Sequence, residues 1–326
     1  MPDATISSVR VENRGRRLRH LLGAPAILAM PGIYDGFSAR LVDSLGFEAA
    51  FITGSGVSES RFGQPDVGLM GLTENLECAR MLAGRTGMTL IADIDTGYGN
   101  PVNVHFATQA FEQAGVGAVM IEDQTWPKRC GHMAGKELIP ADEMAMKVRS
   151  AADARRSPEF VIGARTDAIA TDGIAEAIRR ANIYVDAGAD LLFADALLSE
   201  EDIATFVREV HRPVLVNMGF GIRRRSTTPV LPARRLEELG VAAVIFPRLL
   251  TSAALAGMQR AMEALVASLS SGEAVDRPDL CFSFEELNGL MGFGAIRELE
   301  NRYLTEGELE RKYGSSQPAS ADRSAS

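Results

Sequence analysis

The chain has 326 residues, 46% apolar and 24% charged, with 31 Gly, 14 Pro, three Cys and one Trp; its 43 acids outnumber its 34 bases, for a formal charge of −9. That is enough chain for one large domain or two ordinary ones, and the acidic balance argues against nucleic acid or an anionic membrane as partner. No apolar run reaches the length of a bilayer span, and the polar, Arg-rich start lacks the apolar segment of a secretory signal.

In chain order, residues 1–15 read as a flexible lead whose solvated first turn enters a helix over 16–22. Eight short apolar runs then follow: 26–30 (AILAM), 49–53 (AAFIT), 89–95 (TLIADID), 118–122 (AVMIE), 160–165 (FVIGAR), 191–195 (LLFAD), 213–217 (PVLVN) and 242–247 (AAVIFP). They are continuous rather than alternating, which suits parallel strands buried on both faces. Helical spacing fills the segments 73–86, 104–114, 141–155, 174–187 and 200–210, the first opening on Thr73 as a cap. The phrases EQAGVGA, VDAGAD and EELGVAA each place a Gly at a helix end just before a strand. Eight βα units most simply close into an α/β fold of the (β/α)8 TIM-barrel type. No G-x-G-x-x-G follows the first strand to favour a dinucleotide-binding sheet. The barrel is assigned to 16–270, with its eighth helix over 251–270. A C-terminal helical extension over 271–312, amphipathic across Phe282–Tyr303, has no place inside a complete barrel and must cover its end or pack on another subunit. A low-complexity tail over 313–326 is expected to be disordered.

A barrel carries its chemistry at the C-terminal ends of its strands, and the polar residues fall there. Strand two leads into Thr53-Gly54-Ser55 and, farther on, Asp66; strand three ends in Asp93 and Asp95, strand four in Glu122-Asp123, strand five in Arg165, strand six in Asp195 and strand seven in Asn217. A strand-end Asp taken alone is more often a helix cap. Four acids (Asp66, Asp93, Asp95 and Glu122) converging on one mouth are costly without a cation, and an all-oxygen set favours Mg²⁺ or Mn²⁺ over zinc. The loop Lys128-Arg129-Cys130-Gly131-His132 surrounds one thiol with basic groups, a setting that keeps it proton-active, and its glycine suits a loop that closes over a ligand. Cys78 and Cys281 read instead as small buried hydrophobes. With only three cysteines and no disulfide framework, a reducing, cytoplasmic setting is expected. After Asn217 the loop runs through Arg223, Arg224 and Arg225 to Thr228, either a carboxylate grip or an exposed basic loop.

These phrases (TGSG, GQPDVG, ADIDTGYGN, IEDQ, PKRCGHMAGK, ARTDA and VNM) together resemble the isocitrate lyase/phosphoenolpyruvate mutase superfamily over residues 18–303. The resemblance implies a (β/α)8 barrel with a helix swapped between subunits, in homotetramers. It implies Mg²⁺ on Asp93 and Asp95, with Asp66 and Glu122 direct or through water. Thr53, Gly54 and Ser55 would bind the keto-acid half of a small carboxylate substrate, Arg165 its carboxylate or developing oxyanion, and Asn217 and Thr228 the other carboxylate. The activity implied is cleavage of a 2-hydroxy di- or tricarboxylate of the methylisocitrate or 2,3-dimethylmalate type. Cys130 would protonate the enediolate, with Lys128 and His132 on the same catalytic loop. A phosphonate-forming mutase, or an oxaloacetate hydrolase or decarboxylase, is the alternative. This chain departs from the lyases in Asp195, where they carry Glu, and in the Arg223–Arg225 insertion.

Overall fold

The computed structural model describes residues 14–131, 133–219 and 228–314. A short helix α1 (Arg14–Leu22) precedes strand β1 (Leu28–Ile33), and the chain then alternates through α2 (Gly36–Ser44), β2 (Ala49–Ile52), α3 (Gly54–Phe62), α4 (Leu72–Ala83), β3 (Thr89–Asp93), α5 (Pro101–Ala114) and β4 (Ala118–Glu122). The second half runs α6 (Ala141–Ala154), β5 (Val161–Thr166), α7 (Ala168–Thr171), α8 (Ile174–Ala187), β6 (Leu191–Ala194), α9 (Glu200–Glu209), β7 (Val214–Asn217), α10 (Ala233–Glu238) and β8 (Ala243–Phe246). Each strand pairs in parallel with the next, and β8 returns to β1 in the register Leu28↔Ala243, closing an eight-stranded barrel. The expected strands all form, and their boundaries follow local chemistry. Asn100 caps α5 through its side chain ahead of Pro101, Ser199 caps α9 ahead of three acids, and Gly115 and Gly188 end α5 and α8 in the left-handed region.

Alternation along the strands divides the apolar residues into two cores. The larger fills the space between barrel and helices; the smaller fills the interior with Met30, Phe51, Ile91, Met120, Val161, Phe193, Leu215 and Ile245. Continuing the interior parity toward the C-terminal ends reaches Asp93 after Ile91, Glu122 after Met120, Asp195 after Phe193 and Asn217 after Leu215. The polar layer is thus the next storey of the barrel core.

Three expectations need correction. The first helix is not a solvated lead: Leu18 and Leu22 join the interior core, and Arg14 is buried with its guanidinium donating to the carbonyls of Gly115 (2.6 Å), Ala83 and Thr86 (both 2.8 Å). It closes the barrel's N-terminal end. Thr73 is not the cap of α4, which Gly71 occupies, because the helix begins at Leu72, two residues earlier than a Thr73 cap would start it. Cys281 is exposed rather than buried, on a segment with no core beneath it.

After β8 comes α11 (Leu249–Ser271), the expected eighth helix, and beyond it lie a 3₁₀ turn (Pro278–Leu280), α12 (Phe284–Leu290), α13 (Phe293–Tyr303) and α14 (Glu306–Tyr313). The amphipathic segment over Phe282–Tyr303 is two helices, broken at Gly292, whose φ of +82° no helix can accommodate. Among the described residues, no helix is long and apolar enough to cross a membrane. The expectations for residues 1–13 and 315–326 lie outside the described residues.

Candidate active site

At the C-terminal mouth a cavity is lined by Thr53, Ser55, Asp66, Asp93, Cys130, Gly131, Arg165, Asp195, Asn217 and Arg248 above a floor of Phe51, Met120, Phe193 and Ile245. Its free interior is about 40 Å³, room for about three water molecules, and Cys130 and Gly131 of the 127–131 segment line it. Thr53 caps α3 and its hydroxyl meets that of Ser55 at 2.9 Å, so both hydroxyls sit at the start of α3, facing the mouth. Asn217 presents a buried Oδ1 that has no hydrogen-bond partner among the described residues.

The acids divide into two groups. Asp93 and Asp95 converge: Asp93 Oδ2 and Asp95 Oδ1 lie 3.2 and 3.5 Å from the point where Gly54 would carry a Cβ. Asp95 sits at φ +50° in a turn pinned by Asn75, whose amide donates to the Asp93 carbonyl (2.8 Å) and to Tyr98 Oη (2.6 Å). Lys128, 3% exposed, reaches down between Asp66 (2.5 Å) and Asp95 (2.8 Å). Burial raises the Asp95 carboxyl to about 6; the Lys128 ammonium opposes this, and Asp93 and Asp66 add to it. Burial also works against the Lys128 charge, but Asp95, Glu122, Asp66 and Asp93 outweigh it and hold the ammonium well above its ordinary value.

The second group surrounds Arg165. Its guanidinium takes Asp167 through Nε and Nη2 (both 2.8 Å), Asp195 at 3.1 Å and Glu122 at 3.3 Å, while Lys136 bridges Asp167 (2.7 Å) and Asp195 (3.3 Å). Burial alone would raise Asp167; Arg165 and Lys136 reverse this and hold it well below the usual carboxylate range. For Glu122, burial prevails over Arg165 and Lys128 and lifts its carboxyl well above the ordinary value. Its Oε1 is buried without a hydrogen-bond partner among the described residues.

Several sequence-predicted residues stand elsewhere. Asp123 has the opposite strand parity and faces the helix shell, where Thr166 Oγ1 (2.7 Å), the Asp167 N–H (3.0 Å), Tyr184 Oη (2.7 Å) and Arg180 (3.2 Å) surround it. It belongs to the scaffold. Arg129 is exposed, with only its backbone tied to Gln124. Thr228 is buried but does not line the cavity. His132 and Arg223–Arg225 lie outside the described residues. Sequence reasoning assigned no role to Lys136, Asp167 or Arg248. Asp167 follows Arg165 at strand spacing and Lys136 lies in the Cys-loop phrase, so both had a signal; Arg248 had none beyond its place after β8.

Among the described residues, no three acids or histidines enclose a cation as they stand; the charge between Asp66 and Asp95 is the Lys128 ammonium. The donor chemistry nevertheless fits a hard divalent ion: the set is all oxygen, two carboxylates converge over Gly54, and Glu122 keeps an orphaned buried oxygen.

The family model described as phosphoenolpyruvate phosphomutase matches residues 18–266. 2,3-Dimethylmalate lyase of Eubacterium barkeri is 39% identical over 294 residues, covering 90% of this chain and 99% of that one. A probable 2-methylisocitrate lyase of Corynebacterium glutamicum is 39% identical over 272 residues, 83% and 87% of the two chains. Oxaloacetate acetylhydrolase bound to 3,3-difluorooxalacetate superposes with a TM-score of 0.82 at 32% identity, over 89% of this chain and 97% of that one. Phosphonopyruvate hydrolase bound to oxalate and Mg²⁺ does so with 0.77 at 29%, over 90% and 99%. The chain belongs to the phosphoenolpyruvate mutase/isocitrate lyase superfamily. Within it, the protein is a carbon–carbon lyase.

Proposed function

We propose that the enzyme cleaves a 2-hydroxy di- or tricarboxylate of the 2,3-dimethylmalate or methylisocitrate type into an α-keto acid such as pyruvate and a second carboxylic acid. The observation that carries this reading is that Cys130 lines the same small cavity as Asp93, Thr53 and Ser55. A proton donor and chelating oxygens then share the space of one small molecule. Mg²⁺, held by Asp93 and Asp95 with Asp66 and Glu122 direct or through water, would supply the charge that acidifies the substrate 2-hydroxyl.

The remaining work falls to the chain. The Thr53 and Ser55 hydroxyls and the Gly54 backbone orient the keto-acid half, and Arg165, held in place by Asp167 and Asp195, faces its developing oxyanion. As the 2-hydroxyl gives its proton to solvent water, the pair left on oxygen forms the new C=O and the C2–C3 bond breaks. The C3 pair spreads into the adjacent carboxylate as an enediolate, and Cys130 Sγ–H gives its proton to C3. Asn217, which lines the cavity, serves the second carboxylic acid through its side-chain N–H donors. The closed 127–131 segment must lift for exchange and re-close to exclude water. Incubating the enzyme and Mg²⁺ with both acids and identifying products by NMR tests the reading; formation of no keto acid from either would overturn it.

The second part of the proposal is assembly. α11 contains no buried residue, and Leu255, Met258, Met262, Phe284 and Phe293 are 45–78% exposed, an apolar surface too extensive for a solitary subunit. The extension over 271–312 would pack on a neighbouring subunit of a homotetramer by helix exchange. Light scattering of the intact chain and of Leu255→Glu/Met262→Glu decides it: a tetramer that the variant breaks apart supports the reading, and a wild-type monomer refutes it.

A further inference from the structure

Among the described residues, four cations serve the mouth, and three are already committed. Lys128 serves Asp66 and Asp95, Lys136 serves Asp167 and Asp195, and Arg165 has three carboxylates on Nε and Nη2. Arg248, immediately after β8, differs. Its one carboxylate partner among the described residues is Glu59 of α3, met by Nη2 at 2.5 Å, and its Nη1 faces Cys130 Sγ at 3.8 Å. Both members of that ion pair remain partly open, the Arg248 and Glu59 side chains being 26% and 31% exposed. Arg248 also lines the cavity, together with Pro247, Cys130 and Arg165.

We propose that Arg248 is the specificity residue for the substrate's second carboxylate, taking the carboxylate borne by the carbon that Cys130 protonates. This rests on the lyase reading above. A guanidinium offers a carboxylate two parallel N–H donors. A carboxylate so held on Arg248 brings its neighbouring carbon beside the Cys130 sulfur. During cleavage negative charge moves onto those same carboxylate oxygens, where a fixed guanidinium stabilises it most. Glu59 is then an internal stand-in that neutralises Arg248 until the substrate displaces it. Substrates lacking a carboxylate on that carbon are excluded, because they would leave Arg248 paired with Glu59 and gain nothing from it.

The test compares two variants that break the same ion pair from opposite ends. Calorimetric titration with Mg²⁺ present uses malate, a 2-hydroxy dicarboxylate, and oxalate, which offers no second carboxylate beyond the keto-acid half. Arg248→Gln is expected to weaken malate by about tenfold or more and leave oxalate within about twofold, the scale of one lost charge-assisted contact. Glu59→Gln, which frees Arg248, is expected to hold or tighten malate. If both variants weaken malate and oxalate alike, Arg248 is only a brace for α3 and the proposal falls. If wild type binds malate and Arg248→Gln binds it equally, the assignment falls while the lyase reading stands. If wild type binds oxalate but no malate, both fall together.

Discussion

Gly131→Ala is the most informative single perturbation of the mouth. A Cβ at Gly131 would lie 1.9 Å from Asp195 Oδ2, against 3.4 Å for ordinary contact, a shortfall of about 1.5 Å. Something must move by that amount. If Asp195 moves, it gives up Arg165 at 3.1 Å and Lys136 at 3.3 Å; if the loop moves, Cys130, its neighbour in sequence, moves with it. Misplacement of reacting groups by about 1 Å costs about 10²-fold in rate, equivalent to about 2.7 kcal/mol of transition-state stabilisation. The expected outcome is a kcat lower by about 10²-fold with an unchanged Tm, the loop yielding while the Asp195 ion pairs to Arg165 and Lys136 stay intact. Steady-state kinetics alongside thermal unfolding measure both. A wild-type kcat would refute the closed loop as the working arrangement, and a parallel fall in Tm would show that Gly131 acts on the fold instead.

Two further outcomes follow from the scaffold. Tyr184→Phe removes the 2.7 Å hydrogen bond to buried Asp123, and should cost about 1–3 kcal/mol in denaturant unfolding with kcat little changed; a large loss of kcat with full stability would return Asp123 to the active site. Burial pushes the Cys78 thiol up to about 11, so above pH 9 the unfolded chain loses this proton while the native one keeps it. Stability should therefore fall by about 1.4 kcal/mol per pH unit from this group. Cys78→Ala should abolish that slope, and an unaltered slope would contradict it.

The barrel was legible because its strands are buried on both faces and end in punctuation that any reading of hydrophobic runs detects. The same period of two carried the site: Asp93, Glu122, Asp195 and Asn217 each fall two residues beyond an interior apolar residue, so a strand count suffices to gather them. Asp123 shows the limit of noting strand-end acids without their parity, since one step of register sends it to Tyr184 and Arg180. Arg248 was not legible as a site residue, and the Cys-loop phrase pointed to Lys136 without saying what it binds. Each owes its place to a partner on a different element, and no spacing along the chain encodes which carboxylate a long cationic side chain will reach. Arg14 stayed hidden for a related reason: its partners are backbone carbonyls, which leave no trace in the side-chain pattern. The α12–α13 break was visible only as Gly292, one glycine among many.

The central claim is that Cys130 hands its proton to the carbon released by cleavage. Pyruvate release from 2,3-dimethylmalate and methylisocitrate with Mg²⁺, coupled to a dehydrogenase and compared between wild type and Cys130→Ser, tests it most directly. The expected result is keto-acid formation by wild type on at least one of the two acids and a rate at least about 10²-fold lower for the folded variant, the scale of a lost general acid. Full activity in Cys130→Ser would contradict the claim.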